Sequence, residues 1–139
     1  MIRRTILYTV MMFSFVTAQA LQSPAAYAAD IQMEIFYLPH GPAQAVVSEV
    51  EKVAAEFKNI DIKKYSFEDP TTEKLLKKYN LTDHMPVAIF INGQNSFTVN
   101  GQKISLRNFP KGNAFVPMFA GEWDYADLRV ILQEIRGGK

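Results

Sequence analysis

From Ile31 onward, apolar and polar positions follow one another in a regular order. Ile31 to Leu38 is rich in β-branched and aromatic residues. Gln32 and Glu34 interrupt it before an apolar run through Phe36, Tyr37 and Leu38, which predicts a buried central strand. Pro42 then opens a helix to about Phe57. Val46, Val47, Val50, Val53, Ala54 and Phe57 share one face of it, and Ser48, Glu49, Glu51, Lys52 and Glu56 take the other. A second strand, about Ile60 to Phe67, ends at Glu68-Asp69-Pro70. There Asp69 can cap a helix whose first position is Pro70, whose apolar stripe is Leu75, Leu76 and Tyr79, and which stops at Asn80. This β-α-β-α order favours a sheet containing a parallel pair covered by helices.

The second half is patterned differently. Val87 to Ile91 is an unbroken apolar run, hence a buried strand, with Pro86 at its start and the tight-turn pair Asn92-Gly93 at its end. Ser96 to Val99 and Gln102 to Arg107 flank Asn100-Gly101, a strong hairpin signal. Asn108 to Gly121, with Pro110, Gly112 and Pro117, reads as a loop. The last helix is capped by Asp124, turns Leu128, Ile131, Leu132 and Ile135 inward, and stops at Gly137-Gly138. Phe97, Val99, Ile104, Leu106, Phe109, Phe115, Phe119 and Trp123 concentrate apolar area in the hairpin and loop. Such area either extends the core or forms a partner surface. The alternation in Phe97-x-Val99 and Ile104-x-Leu106 favours the core; the other outcome would be self-association.

Composition narrows the function. A chain of 139 residues, 48% apolar and 21% charged, has room for one globular domain. Lys and Arg number 15 against 14 Asp and Glu, which gives no surface for tracking phosphates, so nucleic acid is not an expected partner. At the start, Arg3 and Arg4 precede a short apolar run from Ile6 to Ala18, and Ala26-Tyr27-Ala28 offers a cleavage site for a signal peptidase. We expect residues 1–28 to be a secretory signal and 29–139 the mature domain. Ala18-Gln19-Ala20 is a second candidate site, and an uncleaved anchor is the alternative, although a bilayer span needs about 20 apolar residues. The expected location is extracytoplasmic, secreted or in the periplasm or cell envelope, with no membrane association after cleavage. Removing Arg3 and Arg4 with no acidic residue leaves a net charge of about −1. The chain has no cysteine, although disulfides are available outside the cytoplasm.

Four features in order carry a resemblance: the strand-loop-helix with Pro39 and Gly41-Pro42, the β-α after it, Met85-Pro86 before a buried strand ending in Asn92-Gly93, and Gly121 before the last helix. Over about Ile31 to Arg136 the chain resembles the thioredoxin-like superfamily. The resemblance implies an α/β fold with a central mixed sheet and helices on both of its faces; the extended hairpin and loop before the C-terminal helix depart from the minimal pattern of that family. It also implies a cis bond at Pro86, facing the start of the first helix. The redox loop of that family reads Cys-Gly-Pro-Cys; in the same register stands His40-Gly41-Pro42-Ala43. Disulfide exchange requires a thiolate, so dithiol chemistry is excluded whatever the fold.

The resemblance leaves a binding geometry without a nucleophile. In the family the residue before the cis proline offers its backbone to an extended peptide, a form of strand addition. Met85 would hold that place, so His40, Gly41, Pro42, Met85 and Pro86 form the expected contact for a protein or extended peptide. The plainer alternative makes the loop a turn and Met85 a core residue. A different alternative uses His40 and His84, the only histidines, with the Met85 thioether as copper ligands. Two histidines and a methionine are fewer donors than a closed structural metal site uses, and no paired histidine spacing supports it, so the expected cofactor is none, with copper as the exception to test. Enzymatic activity is not expected. Ser48, Ser66, Ser96 and Ser105 lack a Gly-x-Ser-x-Gly context, Glu68-Asp69 is better explained by the following helix cap, and the glycines are scattered turn formers.

Overall fold

The computed structural model describes residues 31–81, 85–114 and 117–138. The expected signal segment, His84 and Phe115 lie outside the described residues. Strands β1 (Ile31–Tyr37), β2 (Ile60–Ser66) and β3 (Val87–Ile91) form one sheet in the order β2-β1-β3. β1 runs parallel to β2, with Ile31 beside Ile60, and antiparallel to β3, with Ile35 beside Ile89. Helix α1 (Gly41–Ala55) joins β1 to β2, and α2 (Glu73–Lys78) leads from β2 toward β3. A hairpin of β4 (Ser96–Val99) and β5 (Gln102–Ser105) and a long loop then precede α3 (Tyr125–Arg136). The described residues thus form a mixed α/β fold with a three-stranded mixed sheet and three helices.

Local chemistry accounts for the boundaries. Pro42 stands in the first turn of α1, where an N–H would have no helical partner, and the helix buries Ala43, Val46, Val47, Val50, Val53 and Ala54. It ends at Ala55, short of Phe57, which is half-buried against the core. Asp69 caps as its spacing predicts, accepting from the Thr71 N–H at 2.9 Å, but Pro70–Thr72 is a 3-10 turn before α2 begins. The Thr72 hydroxyl, buried and donating toward the carbonyls of Ser66 and Asp69, ties that turn to the end of β2. At α3 the Asp124 carboxylate accepts from the Asp127 N–H while the Asp127 carboxylate accepts from the Asp124 N–H, a reciprocal cap.

β3 is buried at every position because helices cover both faces of the sheet. Val87, Ile89 and Ile91 join Ile31, Met33 and Ile35 under α1 and α3, whereas Ala88 and Phe90 join Phe36 on the α2 side. The hairpin and loop extend the first of these cores. Val99, Ile104, Leu106, Phe109 and Trp123 are buried in it, with Phe97 and Phe119 half-buried against it. The expectation that the aromatics of this region extend the core therefore holds for those described. The second hairpin arm pairs with β4 only to Ser105. Beyond it the chain crosses to β3, where Ile89 donates to the Leu106 carbonyl at 2.9 Å and Arg107 lies opposite Ala88.

Candidate functional site

The carboxyl ends of β1 and β2 lie side by side, and the helices that follow them diverge, α1 to one face of the sheet and α2 to the other. Such divergence opens a crevice at the strand ends. Leu38, Pro39 and His40 enter it from β1; Phe67 and Glu68 enter it from β2, and the Phe67 N–H bonds the Tyr37 carbonyl at 3.0 Å. His40 is the N-terminal residue flanking α1, and its side chain caps nothing. Its Nε2 instead lies 3.2 Å from Glu68 Oε1, with both side chains more than half exposed. Exposed ion pairs contribute about 0–1 kcal/mol even when both groups are charged, so this contact adds little to the fold.

Beside this pair is an apolar hollow of about 160 Å³ lined by Leu38, His40, Pro42, Ala43, Pro86, Phe109 and Phe119. Its far wall comes from the loop after the hairpin, held by hydrogen bonds from Phe109 N–H to the Phe119 carbonyl and from Gly121 N–H to the Phe109 carbonyl. Gly121 permits this approach. A Cβ there would collide with the carbonyls of Arg107 and Phe109, so any larger residue would push the wall away. Below it, the Trp123 Nε1–H donates to the carbonyls of Arg107 and Asn108, at 3.1 and 3.3 Å. A second hollow of about 330 Å³ opens on the other flank of Pro42, between Glu49, Asn113 and Tyr125. Burial pushes the Tyr125 phenol up and the Glu49 charge acts in the same direction, against a hydrogen bond from Asn113.

Of the residues expected from sequence, His40, Pro42 and Pro86 meet at the first hollow. Gly41 is adjacent in the chain, and a Cβ on it would meet nothing within 4 Å, so packing does not require a glycine there. Two expectations are corrected. The Met85–Pro86 bond is trans, as are all peptide bonds among the described residues, where the resemblance implied cis. Trans is the intrinsically preferred form even before proline, and here the Pro86 carbonyl extends the ladder by accepting from the Leu38 N–H at 3.0 Å. Met85 is not a wall of the hollow. Its side chain packs with Phe36, Ala88 and Phe90 on the α2 side of the sheet, because alternation along an extended segment sends neighbouring side chains to opposite faces. Of the proposed copper ligands, His40 faces Glu68 and Met85 faces the aromatic cluster, while His84 is outside the described residues. Among the described residues no three His, Asp or Glu side chains form a cluster suited to a metal.

Sequence reasoning missed Glu68, Phe109 and Phe119 as site residues. Along the chain Glu68 reads as part of the start of the following helix, and the loop aromatics signal only an excess of apolar residues. No family model, curated protein or solved structure matches this chain.

Proposed function

We propose that the chain is an exported, thioredoxin-like domain without dithiol chemistry, which binds another protein through an extended apolar segment seated between Pro42, Pro86 and Phe119. The hollow at the carboxyl end of β1 carries this reading. It is almost wholly apolar, it is open, and it stands where the two following helices diverge. Met118, next to Phe119 in the chain, is 74% exposed and adds apolar area to the same loop. The thioredoxin-like part rests on the strand order β2-β1-β3, the placement of α1 and α3 opposite α2, and His40 and Ala43 standing where that family has its thiols. Recognition then depends on shape and apolar burial, with His40 and Glu68 as a polar rim.

The test is selection of peptides from a phage-displayed library on the purified protein, followed by affinity measurement on two variants. Pro42→Glu places a charge in the hollow while an acidic residue suits the start of a helix. Phe119→Ser removes the far wall. The expected result is a set of peptides sharing an apolar anchor, weakened about tenfold or more by either change, as the loss of one buried side chain implies. Equal binding to both variants would sink the proposal.

A further inference from the structure

Among the described residues, the outer edge of β2 has no neighbouring strand. Ile31 N–H bonds the Asn59 carbonyl and Phe67 N–H bonds the Tyr37 carbonyl, which fixes the parity of the strand. The backbone groups of odd-numbered residues turn toward β1. Those of Ile60, Ile62 and Lys64 turn outward, and they have no hydrogen-bond partner among the described residues. An open row of this kind is a template for another strand.

We propose that a second copy of this chain occupies that edge, its β2 antiparallel to the first about a two-fold axis at Ile62. The register follows from the strand itself. Only an outward-facing residue can sit on the axis of a hydrogen-bonded pair. Centring on Lys64, or on Asp61 or Lys63 through a non-hydrogen-bonded pair, sets two like charges opposite each other, and centring on Ile60 leaves most of the strand unpaired. Centring on Ile62 sets Ile62 against its own copy and Ile60 against Lys64 of the partner, so that each pair exchanges both backbone bonds. On the opposite face it sets Asp61 against Lys63 of the partner, twice by symmetry, at the closely spaced positions of an antiparallel ladder.

The side chains are disposed for this. Asp61 and Lys63 lie on one face, 3.9 Å apart and half exposed, so their charges are available to an opposing strand. Ile60 and Ile62 are half-buried at the margin of the main core, which a partner's isoleucines would continue. Lys64, which could otherwise guard the edge, is drawn back onto α1, where its Nζ lies 2.7 Å from Glu51. An edge-to-edge contact is small, so the dimer is weak and depends on concentration and salt.

Sedimentation of the purified protein across a concentration series, at low and high salt, tests this. Lys63→Glu and Asp61→Lys each create like-charge contacts twice over and should raise the dimer dissociation constant about tenfold. The double variant Asp61→Lys/Lys63→Glu restores opposite charges and should return it to near the starting value. Ile62→Pro removes an outward N–H while leaving the ladder to β1 intact, and should abolish the dimer. Amide exchange provides an independent readout, because Ile60, Ile62 and Lys64 should gain protection only as concentration rises. A protein monomeric at all concentrations overturns the proposal. So does a dimer insensitive to the charge changes, or protection of these amides in the monomer, which would place the chain's own residues on the edge.

Discussion

On the α1 and α3 side of the sheet, the core is mainly aliphatic and closed by long helices and by Trp123, which is wholly buried. On the α2 side it is aromatic. Phe36 contacts Tyr65, Phe67, Tyr79 and Phe90 with ring centroids 5.0 to 6.4 Å apart, under a six-residue helix none of whose residues is fully buried. The first face gains stability from many small contacts supplied by distant parts of the chain. The second relies on a few large rings, each covering much area, with Phe36 wholly buried and Tyr65, Phe67 and Tyr79 partly buried around it. A short helix can cover a sheet face only when the side chains beneath it are large.

The difference can be broken most severely at Trp123. Trp123→Ala should cost about 3–5 kcal/mol in denaturant unfolding, from the cavity and from the carbonyls of Arg107 and Asn108 losing their donor. Because those carbonyls belong to the chain behind the hollow, this variant should also weaken the peptide binding proposed for it.

A smaller effect is expected on the aromatic face. The Tyr79 hydroxyl donates to Glu34, and burial, followed by the bond to Glu34, pushes its pKa above the usual tyrosine value. Tyr79→Phe should cost about 1 kcal/mol near neutral pH. The unfolded chain then loses the phenol proton before the folded one does, so this contribution is present below the unfolded pKa, about 10, and is lost as pH rises through the folded value. Wild-type stability should decline more steeply than that of Tyr79→Phe in alkaline solution. Parallel curves would show that the hydroxyl does not couple to folding.

The smallest change should come where the two long helices meet at the surface. Arg129 grips Glu56 with Nε at 2.8 Å and the terminal nitrogen at 2.7 Å, and this hydrogen bonding holds the Glu56 carboxyl below its usual pKa. A depressed carboxylate contributes stability above its unfolded pKa, about 4.3, that is lost as pH falls through the folded value. Glu56→Gln should therefore leave neutral stability nearly unchanged and flatten the loss in acid. An identical acid profile would show that solvent screens the pair completely.

Much of the fold was legible along the chain because its signals are local. The β-branched runs, the Asp69 and Asp124 caps, and the Asn100-Gly101 turn, with Asn100 and Gly101 both at positive φ, act within a few residues. The site was legible only in part. His40, Pro42 and Pro86 meet, whereas Met85 departs to the other face, and Phe109, Phe119 and Glu68 arrive from elsewhere.

By itself, the sequence determined the order of strands and helices, which of their positions are apolar, and the absence of cysteine, since each depends on residue type and short-range spacing. Tertiary structure alone decided that the loop aromatics would close one core and wall the hollow, and that Met85 would face α2. It also decided that Ile60, Ile62 and Lys64 would turn their backbone groups outward. Those outcomes depend on which strand lies beside which and in what register, and a shift of one residue in that register turns every side chain and every backbone donor to the opposite side.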